Sequence, residues 1–127
     1  MDYDLDDTLN GGSWTVFAPT DEAFESAPPL TDIAELLKGH VAEGIIYYED
    51  LVCTEKITML NGKHTRTVCK NGSTYQKGKS NSDEMRPEII EPNVEACNGV
   101  VHVVDQVIFS LWAKWSMNRN LLKVKNM

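Results

Sequence analysis

Residues 14–24 read Trp14-Thr15-Val16-Phe17-Ala18-Pro19-Thr20-Asp21-Glu22-Ala23-Phe24, and this stretch decides the fold. Trp14 to Ala18 is short, apolar and β-prone, which predicts a strand. Pro19 ends it. Thr20 is then placed to cap a helix, with Asp21 and Glu22 in a first turn whose unpaired N–H groups favour acids. Pro28-Pro29 stops that helix early.

Outward from this stretch the chain alternates short elements and tight turns. A second helix is expected from Thr31 or Asp32, where Asp32 and Glu35 resemble a capping box. Ile33, Leu36 and Leu37 share one face, and Gly39 falls just past the helix end. Ile45 to Tyr48 reads as a strand, with Tyr47 and Tyr48 on opposite faces. Asn61-Gly62 lies between two β-prone runs and predicts a hairpin with a two-residue turn. A second turn at Lys70-Asn71-Gly72 leads into Ser73–Lys77. Residues 78–86 read as a polar loop in which only Met85 is core-forming. Pro87 through Val94 suggests a strand broken by Pro92. Asn98-Gly99 is a further turn, and Val100 to Ile108 reads as a central strand buried on both faces. Together these predict an α+β domain with a mainly antiparallel sheet.

The chain has 127 residues, enough for one domain. Hydrophobic residues make up 42% and charged residues 24%, a composition that excludes wholesale disorder. No apolar run approaches the roughly 20 residues of a membrane-spanning helix. The net charge of −7 makes the chain a poor binder of nucleic acid phosphates without a concentrated basic patch, and no nucleic acid partner is expected. All the acids lie in residues 1–109, whereas residues 110–127 carry Lys114, Arg119, Lys123 and Lys125 and no acid. This divides the chain into a domain, 1–109, and a basic tail, 110–127, containing Trp112 and Trp115. Met1-Asp2-Tyr3-Asp4 has the features of neither half of a signal peptide.

Two segments resemble the signatures of the fasciclin adhesion domain family, which has animal, microbial and algal members. The first is Thr15 to Phe24. The second is Asn98-Gly99-Val100-Val101-His102-Val103-Val104-Asp105-Gln106-Val107-Ile108. Between them, Gly39-His40 stands where the family has a tyrosine–histidine pair. The resemblance covers about residues 5–109. It implies a wedge-shaped β-sandwich of about seven strands with short helices packed around it. It further implies a non-catalytic adhesion or extracellular-matrix module, secreted or at the cell surface, with a protein or glycan partner. Thr20, Asp21, His40, Asn98 and His102 would then be structural motif residues. The family usually has helices ahead of the first strand, so the domain is expected to be N-terminally shortened here. A groove left by that shortening supports an alternative function, binding of a small apolar ligand or lipid.

Several features compete as functional sites. Asp4-Leu5-Asp6-Asp7-Thr8 matches the D-x-D-x-T nucleophile motif of haloacid dehalogenase phosphatases. It lacks the upstream hydrophobic strand and the repeating β–α pattern that the chemistry needs. No catalytic residue, cofactor or metal ligand is therefore assigned. His102, inside a valine run, and His40, after a helix end, are expected to be buried and hydrogen-bonded. His64 is expected to be exposed in its hairpin. Glu91-Pro92-Asn93-Val94 partly matches the first four residues of Glu-Pro-Asp-Ile-Met, a proposed integrin-contact motif of some animal family members, with Asn93 in place of the acid and Glu95 in place of the methionine. With Tyr47 and Tyr48 it forms the candidate adhesion set.

Cys53, Cys69 and Cys97 lack zinc-site spacing. A two-residue turn at Asn61-Gly62 would set Cys69 opposite Thr54, one residue from Cys53. A slight twist or bulge would then allow a Cys53–Cys69 disulfide and leave Cys97 free. Asn71-Gly72-Ser73 is a glycosylation sequon. In the tail, Leu111, Trp112, Trp115, Leu121 and Leu122 are expected to cover apolar surface, folded back or in a swapped homodimer, with the dimer favoured. A basic amphipathic tail also suits an anionic membrane surface.

Overall fold

The computed structural model describes residues 12–27 and 33–109. The Asp4–Thr8 motif, the Asp32 cap and the tail lie outside the described residues.

Strand β1 (Trp14–Pro19) runs into helix α1 (Asp21–Ser26), and α2 (Ile33–Lys38) follows. Five strands come next: β2 (Val41–Glu43), β3 (Lys56–Thr58), β4 (His64–Lys70), β5 (Ser73–Gly78) and β6 (Ile89–Ala96). Strand β7 (Gly99–Val104) completes the set. The order in the first sheet is β2-β1-β7-β6, and in the second β3-β4-β5. Seven strands in two sheets with short helices agree with the sequence reading.

The first sheet is mixed. β1 and β7 pair in parallel from Trp14↔Gly99 to Pro19↔Val104. A parallel pair needs a long crossover, and here the crossover contains both helices and the whole second sheet. β7 lies between β1 and β6 as expected, but it ends at Val104. Val107 and Ile108 are buried in irregular chain beyond it.

Phe17, Ala42, Met59, Ile89, Val104 and Ile108 form the main core, with Ile46, Tyr48, Leu51 and Ile57 packed against it. These residues come from both sheets, so the two sheets share one hydrophobic interior. A smaller cluster of Ala23, Leu36 and Val107 holds the helices. Gly99 starts β7 where the Trp14 carbonyl oxygen would lie 1.9 Å from a Cβ, so no other residue fits there.

Four local expectations are corrected. Ile45 to Tyr48 is not a strand; a short 3-10 turn at Tyr48–Asp50 follows irregular chain. Residues 78–86 do contribute to the interior, but through Asn81, which is buried, while Met85 is exposed. Asn81 Oδ1 accepts the Gly78 and Phe109 N–H groups, and its Nδ2 donates to the Met85 and Val107 carbonyls. Pro92 does not break β6, because it sits in a bulge of an edge strand, where its missing N–H costs no ladder bond.

The fourth concerns the first hairpin. Its register is Ile57↔Thr65, whereas a two-residue turn would pair Ile57 with Arg66. Gly62 has φ +83° and Asn61 does not share the left-handed region. The Gly62 N–H donates to the Met59 carbonyl and the Met59 N–H to the Lys63 carbonyl. This is a three-residue loop closed by a left-handed glycine. The two-residue turn occurs instead at Asn71-Gly72, where both φ values are positive and Lys70 pairs with Ser73.

Candidate functional site

The site is built outward from His102. Along β7, Val100, His102 and Val104 point inward. The His102 ring lies beside that of Phe17, 5.4 Å between centroids. His102 Nε2 donates to the Ile46 carbonyl at 2.8 Å, and Nδ1 accepts the Asn93 N–H at 3.1 Å. Burial lowers its pKa, the Ile46 carbonyl opposing that shift, so the ring stays neutral. One histidine thus holds two segments far apart in the sequence.

The first segment is the β6 bulge. Glu91 pairs with Val103 and Val94 with Val101, leaving Pro92 and Asn93 together against His102. Asn93 takes φ +59°, a conformation asparagine tolerates better than most residues. Its Oδ1 accepts the Tyr48 N–H at 2.8 Å, and its Nδ2 donates to Glu49 Oε1 at 2.9 Å. That second bond holds the Glu49 carboxyl below its usual pKa.

The second segment is residues 44–50. Thr15, fully buried, donates its hydroxyl to the Gly44 carbonyl and accepts the Ile46 N–H. Tyr48 packs on the core, and its hydroxyl meets Thr74 Oγ1 at 2.8 Å. Tyr47 remains 36% exposed, and Val94 on β6 37% exposed. Tyr47 and Tyr48 do face apart, although no strand alternation sets them. Tyr47, Tyr48, Glu91, Pro92, Asn93 and Val94 therefore belong to one hydrogen-bonded edge.

The remaining motif residues gather elsewhere. Thr20 Oγ1 accepts the Ala23 N–H, and the Thr20 N–H donates to the Val104 carbonyl. Asp21 is exposed in the first turn of α1. The Asn98 carbonyl accepts the Trp14 N–H. The His40 carbonyl accepts the Phe17 N–H, and His40 Nε2 accepts the Ile108 N–H. The two signature segments are thus neighbouring strands, with His40 spanning both.

Cys53 and Cys69 form a disulfide with Cα atoms 5.6 Å apart, and Cys97 is free and exposed. The Thr54 N–H donates to the Thr67 carbonyl and the Thr67 N–H to the Glu55 carbonyl. Continued past Lys56↔Arg66, the observed register brings Cys53 to the level of Cys69, and the bridge forms there although Thr54, at φ +74°, and Glu55 both oppose Thr67 in a bulge. Asn71 is exposed at the tip of the β4–β5 hairpin.

Sequence reasoning missed two buried polar groups. Gln76 bonds Thr67 through Oε1 and Thr65 through Nε2, and the Thr65 hydroxyl points to the Met59 sulfur. The signal for the threonines was present, since His64 and Arg66 must face water and so turn Thr65 and Thr67 inward. Asn81 had no such signal. A hollow of about 240 Å³ lies beside it, lined in part by Ala23, Val107 and Phe109. Among the described residues, no three His, Cys, Asp or Glu side chains are grouped to hold a metal. No described helix is long and apolar enough to cross a membrane.

A sequence model of the fasciclin domain matches residues 1–110. The uncharacterised protein sll1735 of Synechocystis sp. is 32% identical over 106 residues, covering 76% of this chain and 73% of that one. Transforming growth factor-beta-induced protein ig-h3 of Oryctolagus cuniculus is 32% identical over 114 residues, covering 82% of this chain but only 16% of its own length. Among solved structures, a FAS1 domain pair from the insect cell adhesion molecule fasciclin I superposes with a TM-score of 0.59 at 18% identity. That match covers 82% of this chain and 39% of the insect chain, and it bears on the fold alone.

Proposed function

This chain belongs to the fasciclin domain family, and on that premise we propose that it is a non-catalytic adhesion module. It holds an extracellular or cell-surface partner, protein or glycan, through the edge formed by Tyr47, Glu91, Asn93 and Val94. The observation that carries this reading is the double clamp. His102 and Asn93 together fix two segments that leave the Tyr47 and Val94 side chains partly exposed. A surface fixed before contact loses little conformational entropy on binding, which favours recognition. Its exposed aromatic and aliphatic groups beside Glu49 and Glu91 fit a contact with an apolar centre and a charged rim.

An oxidising compartment is supported by the Cys53–Cys69 bridge. Asn71 is the proposed glycan attachment site there, because its side chain stands clear at a hairpin tip. Binding of a small apolar ligand is a weaker reading, since the hollow near Asn81 is below the roughly 300–1,000 Å³ usual for such sites.

The test is cell retention under flow on a surface coated with the full chain. We expect retention above an albumin coat. A folded Tyr47→Ser/Val94→Ser variant should lose most of it. Retention equal to albumin, or unchanged in that variant, overturns the proposal.

A further inference from the structure

The second sheet turns one face inward and the other to water. Thr65, Thr67 and Gln76 point to the interior. On the outer face the charged side chains are cations, Lys56, Arg66 and Lys77, beside the uncharged Thr58, Val68 and Tyr75. Lys56 pairs with Arg66, and Arg66 pairs with Lys77, so three cations stand abreast across three strands. His64 lies two residues from Arg66 on the same face, and Lys79 two residues from Lys77. With Lys63 from the hairpin loop, these side chains line an open groove of about 480 Å³.

Five of the 12 basic residues of a chain with net charge −7 line this groove, and no acid does. Among the described residues, none of Lys56, Lys63, Arg66 and Lys77 has a carboxylate at ion-pair distance. Arg66 is held in place by its bond to the Thr54 carbonyl. Like charges directly opposite one another weaken a sheet. Two such pairs in one row are a local cost that a bound anion would offset.

We propose that this groove binds an acidic polysaccharide, with sulfate or uronate groups lying along the Lys56–Arg66–Lys77 row. The row spans about 10 Å at ordinary strand spacing, of the same order as a disaccharide repeat. No Phe, Tyr or Trp lines the groove, so it offers no platform for stacked bases. None of the exposed large hydrophobic side chains lies in its lining, so it offers no wedge for a bilayer. This site is separate from the Tyr47–Val94 edge and does not depend on it.

Titration of the full chain with a heparin-derived octasaccharide, and separately with a galacturonate oligosaccharide, tests the proposal. Dextran, phosphatidylserine vesicles and single-stranded DNA serve as comparison ligands. At least one acidic oligosaccharide should bind at low salt, with affinity falling as salt rises. The two arms distinguish sulfate from uronate recognition. Lys56→Gln/Lys77→Gln should weaken binding by about tenfold with the thermal midpoint unchanged or raised. Tyr47→Ser/Val94→Ser should bind the oligosaccharide normally, whatever its effect on cell retention. Absence of binding to both oligosaccharides overturns the inference. So does equal affinity in the lysine variant, or tighter binding to DNA or vesicles.

Discussion

His40 uses both ring nitrogens in the neutral form. Nδ1 donates to the Leu36 carbonyl at 2.9 Å, and Nε2 accepts the Ile108 N–H at 2.9 Å. A proton on Nε2 would set two donors against each other. Burial pushes the pKa down to about 4 from 6.5, partly opposed by the Leu36 bond. Above pH 6.5 neither folded nor unfolded chain binds that proton. As pH falls below 6.5 the unfolded chain takes it up and the folded chain does not. Stability is therefore lost progressively down to about pH 4, by about 3 kcal/mol for this group. Denaturant unfolding at pH 7.5 and 4.5 measures the loss, and His40→Gln should show a smaller difference between the two pH values. His102→Ala should cost at least about 2 kcal/mol, because it leaves the Ile46 carbonyl and the Asn93 N–H without their partner. Sequence alone made both histidines buried and bonded. It could not show that His102 also organises the Tyr47–Val94 edge, because its partners lie on segments brought together only by the fold.

The elements were legible where local chemistry decides them. Pro19, the Thr20 cap and the acids at Asp21 and Glu22 mark the passage from β1 to α1, and both elements form there. Asn-Gly is a weaker guide to register. Asn61-Gly62 and Asn71-Gly72 have the same letters, yet only the second is a two-residue turn. The difference moves the β3–β4 register by one residue. Gly62→Ala should therefore cost about 1–2 kcal/mol, through the left-handed conformation alone. The Cys53–Cys69 bridge closes a loop with a sequence separation of 16 across this hairpin. Reduction should lower stability by about 3 kcal/mol, read as a lower denaturant midpoint with reductant present. An unchanged midpoint would mean that the hairpin is already held by its ladder and by the Gln76–threonine bonds.

At the scale of the whole molecule, the two signature segments announced the family but not their own arrangement. They lie side by side as parallel strands, and that pairing depends on everything folded between them. Charge behaves similarly. The net acidity is plain from composition, whereas the gathering of cations on one sheet face appears only once Lys56, Arg66 and Lys77 are in register. The candidate edge is a further case, since residues 44–50 and 91–94 meet through Asn93 and His102. The central claim is that adhesion uses this edge in its prefixed form. Asn93→Gly tests it most directly, because glycine accepts the positive φ but removes the bonds to Tyr48 and Glu49. Measured as cell retention under flow on chain-coated surfaces, the account predicts a folded variant that retains far fewer cells than the unaltered chain. A folded Asn93→Gly coat that holds cells as well as the unaltered chain would contradict it.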